Sequence, residues 1–218
     1  SKCFQVIKEL QPKLFEEQKQ LEFKSYLEFP LNWGLGSSST LINNLAQWGK
    51  VDAYKLLAAT FGGSGYDIAC AQHPYAITFQ KNLKSQKIEK VVFNPSFKDE
   101  LFFVHRNHKQ DSRKAIANYK ASKPFKNLDF KSLNSMTEAL LKTQNLQDFE
   151  SIITKHEHLI SKLIEQKPLK NSHFPDYKGA IKSLGAWGGD FFLATGTNRS
   201  YFKDKGYETI INYKDMIL

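Results

Sequence analysis

Leu27 to Asn43 reads LEFPLNWGLGSSSTLIN. Alternating apolar residues (Tyr26, Leu27, Phe29, Leu31) run into Gly34-Leu35-Gly36, then Ser37-Ser38-Ser39-Thr40, then helical spacing at Leu41, Ile42, Leu45 and Trp48. The pattern predicts a strand over 21–31, a glycine turn, and a helix from Ser38 to Trp48. Such a junction can hold an anion. Glycine lets a ligand approach the backbone, the first N–H groups of the helix lack intrahelical partners, and the helix dipole favours negative charge there. The same junction also serves as a plain structural turn, so its meaning depends on the rest of the chain.

Outward from it, residues 3–15 have helical spacing with a break at Pro12, and Val51–Thr60 forms a further helix. Gly62-Gly63-Ser64-Gly65 then precedes a helix start with Asp67 in its first turn, where a carboxylate also complements the helix dipole. Strands are expected over Tyr75–Gln80, Lys90–Asn94 and Glu100–His105, and a helix over Ser112–Tyr119. Ser135-Met136-Thr137-Glu138 reads as a capping box opening a helix to Thr143, and Asn145 opens another to Gln166. The apolar face of the latter (Phe149, Ile152, Ile153, Leu159, Ile160, Leu163) belongs to a core. His156 and His158 diverge on a helix and do not read as metal ligands. A third glycine segment, Lys182-Ser183-Leu184-Gly185-Ala186-Trp187-Gly188-Gly189-Asp190, precedes the strand Phe191–Ala194, and Glu208–Tyr213 is a final strand. Strands and helices without regular βαβ alternation predict an α+β fold.

The three glycine segments, taken in order, resemble the GHMP kinases, the superfamily of galactokinase, homoserine kinase, mevalonate kinase and phosphomevalonate kinase. The second and third look most like the mevalonate and phosphomevalonate kinases, and Gly-Ser-Gly-Tyr-Asp-Ile-Ala looks like the bacterial group named for GYDIA. The resemblance implies an incomplete ribosomal-protein-S5-like N-terminal domain over 1–97 and a ferredoxin-like C-terminal domain over 98–218. It implies ATP and Mg²⁺ as cofactors, with Gly34, Leu35, Gly36, Ser37, Ser38 and Ser39 around the triphosphate and Ser38 on the metal. Asp67 would be the general base toward the acceptor hydroxyl. Ser64, Ser112, Gly185, Ala186, Gly188 and Gly189 would lie at the substrate. The implied activity is phosphorylation of a small alcohol or phosphorylated alcohol of the isoprenoid precursor type. A non-catalytic nucleotide-binding relative and a homoserine-type kinase are the alternatives. Two departures stand out: Leu56 occupies the position of the metal-binding glutamate of mevalonate kinases, and the family's first motif has no counterpart. With Ser1 in place of Met, the latter leads us to expect the C-terminal part of a longer protein.

Composition narrows the partners. The 218 residues carry 41% hydrophobic side chains, 17 Phe and a net charge of +9, which suits a globular chain with an anionic ligand. Only Arg106, Arg113 and Arg199 among the 31 cationic residues are arginines, and the lysines are scattered, so the expected partner is a small molecule and not nucleic acid. No apolar run is of membrane-spanning length, and Cys3 and Cys70 form neither a disulfide framework nor a zinc pattern. A cytoplasmic setting without membrane contact is expected, with a homodimer left open.

Overall fold

The computed structural model describes residues 1–16, 21–81, 85–108, 130–185 and 189–217. These residues fall into two compact units, one of Ser1–Leu31 with Leu35–Val92 and one of Asn32–Gly34 with Phe93–Leu218. Among the described residues, no helix is long and apolar enough to cross a membrane.

The first unit is a small helical cluster with a hairpin. Helix α1 (Lys2–Leu10) ends where Pro12 opens a 3₁₀ turn, Pro12–Phe15, because proline lacks the N–H that would continue the helix. Helices α2 (Ser37–Gly49), α3 (Ala53–Thr60) and α4 (Tyr66–Gln72) follow, with Asp52 capping α3 by accepting from the Lys55 N–H at 2.8 Å. Their apolar faces meet α1 in one core that includes Ile7, Ile42, Leu45, Leu56 and Ile68. Strands β1 (Ile77–Lys81) and β2 (Gln86–Lys90) pair antiparallel, Ile77 opposite Lys90.

The alternation over 21–31 does not become a strand. Residues 21–27 have no regular structure and Leu31–Trp33 is a 3₁₀ turn. A strand exists through its ladder, and among the described residues this segment has no pairing neighbour. Its apolar side chains dock individually instead: Phe23 lies 4.7 Å from Trp48 and 4.8 Å from Phe4, ring centre to ring centre. The strand expected at Lys90–Asn94 also shifts, to Gln86–Lys90, because the register with β1 selects those residues.

The second unit is built on a four-stranded antiparallel sheet of β3 (Leu101–His105), β4 (Ile181–Ser183), β5 (Phe191–Thr195) and β6 (Ile210–Asn212), in the order β4-β5-β3-β6. Helices α5 (Phe130–Lys142) and α6 (Leu146–Leu163) lie between β3 and β4 in the chain. The short helices α7 (Leu169–His173), α8 (Ser200–Lys203) and α9 (Tyr213–Met216) complete it. The resulting strand–helix–strand–strand–helix–strand succession is ferredoxin-like. All ten residues of β3 and β5 are buried. Their side chains alternate between two cores: Phe102, Val104, Phe192 and Ala194 pack with Phe174 and Phe202, while Leu101, Phe103, Phe191 and Leu193 pack with Phe149 and Ile153 of α6. Strands with both faces covered read as continuous apolar runs, as FFVH and FFLA do.

Asn145 caps α6 as expected, accepting from the Asp148 N–H at 2.8 Å. Ser135–Glu138 does not open a helix. It lies inside α5, where Thr137 donates to the Leu133 carbonyl instead, because the helix begins earlier and leaves no free N–H there for the box to cap. On α6 the expected apolar face also carries Glu157, which is 7% exposed. Lys182 on the edge strand β4 stands opposite Leu193, on the sheet face that packs with α6. Its ammonium donates to Glu157 at 2.8 Å and to the Ser183 carbonyl at 2.7 Å, and the Ser183 hydroxyl donates to the other Glu157 oxygen at 2.9 Å. Removing one member of such a pair strands the other's charge. We expect Glu157→Ala to cost about 3–5 kcal/mol, and the double change Glu157→Met with Lys182→Met to recover most of it. Urea unfolding followed by circular dichroism measures both; equal losses would contradict the pairing argument.

Candidate phosphate-binding site

In the first unit, Gly36 ends the glycine turn with φ +74° and is the N-cap of α2. Its carbonyl accepts from the Thr40 N–H at 3.0 Å and the Thr40 hydroxyl at 3.2 Å. The N–H groups of Ser37, Ser38 and Ser39 precede the first intrahelical bond. Among the described residues no side chain caps this end, and the first turn carries no acid. A 13-residue helix thus presents its positive end, flanked by three hydroxyls, with no acid in its own first turn.

Asp67 lies in the first turn of α4. Helix α4 is held beside α2 by Ile68 in the shared core and by a Gln72 amide that donates to the buried Asn43 side chain at 3.2 Å. The outcome is close approach: a Cβ on Gly36 would sit 3.7 Å from the Asp67 Cβ and 3.8 Å from its carboxyl carbon. Glycine keeps that side of the carboxylate clear. Asp67 reaches solvent, yet the atoms crowding it raise its pKa above the ordinary aspartate value, burial being the cause. Neighbouring Tyr66 is pushed up to about 12, first by burial and then by Cys70, and stays a protonated donor. Ser64 accepts from the Tyr66 N–H at 3.2 Å and so shapes the entry to α4. The metal-ligand position of the resemblance, Leu56, is 0% exposed in the core.

In the second unit, Gly185 and Gly189 of the glycine segment lie between β4 and β5. Gly185 has φ +69°, and Gly189 donates to the Leu184 carbonyl at 2.9 Å, so close that a Cβ there would lie 2.4 Å from that oxygen. Ala186 and Gly188 lie outside the described residues, as does Ser112. Gly34 belongs to this unit, not with Gly36: Trp33 packs edge-on to Phe191 at 5.5 Å, and His105 contacts the Asn32 carbonyl at 3.3 Å. The Asn107 N–H donates to His105 Nδ1 at 3.2 Å, which makes Nε2–H the donor to Asn32. A Cβ on Gly34 would fall 1.7 Å from Asp190 Oδ2. This apposition of Gly34 and Asp190 escaped the sequence reading, as did the Glu157–Lys182 pair. The latter had a signal, a glutamate on an otherwise apolar helix face.

No protein-family model matches the chain, and no curated protein matches it. Solved structures do. The Lin0012 protein from Listeria innocua aligns with a TM-score of 0.51 and 19% identity, over 79% of this chain and 62% of that one. The L. major mevalonate kinase, crystallised with R-mevalonate, aligns with a TM-score of 0.54 and 13% identity, over 82% of this chain and 64% of that one. The fold is GHMP-kinase-like. The chain spans less than two thirds of the length of both proteins.

The glycine geometry is directly testable. Gly34→Ala combines a left-handed backbone (φ +65°) with a collision against Asp190, whereas Gly206→Ala, also in the second unit, has φ +85° and open space. Both incur the backbone cost of about 1–2 kcal/mol, and only the first adds the clash. Thermal unfolding of the two variants should show the larger loss for Gly34→Ala, and equal losses would remove the contact from the account.

Proposed function

We propose that the chain belongs to a small-molecule kinase in which the N-terminus of α2 receives the phosphates of ATP and Asp67 takes the proton from an acceptor hydroxyl. The observation that carries this reading is the placement of Asp67 against Gly36, beside uncapped helix N–H groups in the first unit. These residues suit the ligand: the backbone N–H groups of Ser37–Ser39 donate to anionic oxygens, and the Ser38 hydroxyl offers the hard oxygen that Mg²⁺ prefers. ATP with Mg²⁺ would supply the transferable phosphoryl group and neutralise its charge.

The chain's own groups do the remainder. Ser37–Ser39 position the anion in line with their N–H groups, and Gly36 lets it approach the backbone; the roles of Gly34 and Leu35 rest on the sequence resemblance. Asp67, with a raised pKa, is a stronger base than an ordinary aspartate and accepts the hydroxyl proton as phosphoryl transfer proceeds. The assignment of substrate contacts to Ser64, Ser112, Gly185, Ala186, Gly188 and Gly189 rests on the sequence resemblance. So does an acceptor of the mevalonate or phosphomevalonate type.

A second reading is favoured by Leu56. A buried leucine where mevalonate kinases place a metal-binding glutamate fits a relative that binds nucleotide without turnover. Phosphomevalonate kinases also lack that glutamate, which keeps the first reading ahead.

A coupled ADP-release assay against mevalonate, phosphomevalonate, homoserine and sugars separates the two. With the active acceptor, Asp67→Asn should lower kcat by about 10²–10⁴-fold while leaving ATP affinity unchanged. Unaltered kcat would sink the assignment of Asp67, and ATP binding without turnover on any acceptor would support the non-catalytic relative. The pH profile gives an independent check. Proton acceptance needs the carboxylate form, so kcat should fall as pH drops through a midpoint above 3.8, and that acid limb should vanish in Asp67→Asn.

A further inference from the structure

The second unit contains a cavity of about 250 Å³ between the C-terminal half of α6, helix α7 and strand β4. Its size lies just below the range of roughly 300–1,000 Å³ usual for small-molecule sites. Its charge is one-sided: the lysines Lys167 and Lys182 line it with a single carboxylate, Glu157. That carboxylate is already committed, one oxygen to Lys182 and the other to Ser183. Lys182 spends two of its three N–H donors on Glu157 and the Ser183 carbonyl and keeps one. Lys167 makes no ion pair among the described residues. Two carbonyls near the end of α6 are also occupied, that of Ile160 by the Ile164 N–H and that of Ser161 by the Gln166 N–H. The surplus in the cavity is therefore cationic.

Two further features shape what would fit. His156 on the wall has its pKa lowered, by burial first and by Lys182 second, so it is neutral near pH 7 and adds no charge. Ile160, Ile164 and Leu169 supply an aliphatic side to the lining. A cationic pocket with an aliphatic wall matches a small molecule that carries one oxyanion head on a short branched or linear carbon body.

We propose that this cavity is a binding site for such a small organic anion, a carboxylate or a phosphate monoester, held by Lys167 and Lys182 with its carbon body against Ile160, Ile164 and Leu169. The site lies wholly in the second unit. Its lining includes Gly185, which the sequence resemblance assigns to substrate, and none of the residues assigned to nucleotide, so binding here is measurable whether or not the chain turns over ATP.

Nuclear magnetic resonance of the ring signals of His156 and His173, both on the cavity lining, reports binding locally. Isobutyrate and isobutyl phosphate serve as probes sharing one carbon body, isobutanol as the uncharged control, at ionic strength fixed with chloride. We expect saturable shifts of both histidines with at least one anion; whichever binds tighter identifies the head group. Isobutanol should leave them unmoved. Lys167→Ala, at an exposed position that folding tolerates, should weaken binding at least tenfold, and Lys203→Ala should not. Absence of shifts with both anions, equal shifts with isobutanol, or an equal loss in Lys203→Ala would overturn the proposal, the last by reducing the effect to the overall basic charge.

Discussion

Strands β3 and β5 pair antiparallel from Leu101 opposite Thr195 to His105 opposite Phe191, and no side chain in either is exposed. A strand pair of this kind must be covered on both faces and flanked on both edges. The second unit can be read as the solution to that requirement. Helix α6 covers the face of Leu101, Phe103, Phe191 and Leu193, while Leu169, Phe174 and Phe202 cover the face of Phe102, Val104, Phe192 and Ala194. Strands β4 and β6 take the edges. On the short edge strand β4 an inward lysine paired with Glu157 from the covering helix places charged groups at the edge, a device that discourages pairing with another chain. Trp33 and the Asn32 carbonyl dock onto the same strands, through Phe191 and His105.

Gly36 in the first unit and Gly34 in the second each act by absence of bulk. At Gly36 the missing side chain leaves Asp67 open beside the start of α2, and at Gly34 it leaves room for the Asp190 carboxylate. Both residues also adopt left-handed backbone that other residues enter at a cost. An anion site of this type needs few charged side chains, because backbone N–H groups and the helix dipole supply the field. That is why a lysine-rich, arginine-poor chain can suit a phosphorylated ligand without a clustered basic stripe.

Structural similarity to a mevalonate kinase at 13% identity speaks to the backbone path. Chemistry is argued from side chains, and here two observations pull in different directions. Asp67 lies beside Gly36 with its pKa raised by burial, which suits the proposed base, while Leu56 is a buried hydrocarbon at the position that the sequence resemblance assigns to a metal-binding glutamate. A hydroxyl and phosphate oxygens can complete a Mg²⁺ shell with water, since this ion keeps several waters in many sites. Under the proposed kinase reading the two observations are compatible if the substrate supplies most of the metal ligands.

What was legible in the sequence was local. The break at Pro12, the start of α2 after Gly36, the Asn145 cap and the apolar runs of β3 and β5 each follow from interactions within a few residues of chain. Periodicity failed where a partner decides the outcome. The alternation over 21–31 has no described strand to pair with, and the box at Ser135–Glu138 sits within a helix that starts upstream. Only the tertiary structure brought Glu157 to Lys182, Asp67 to Gly36 and Asp190 to Gly34. Those approaches depend on sheet register and helix packing, which join residues far apart in the chain. A motif read along the sequence carries residue type and spacing but not which face each residue occupies.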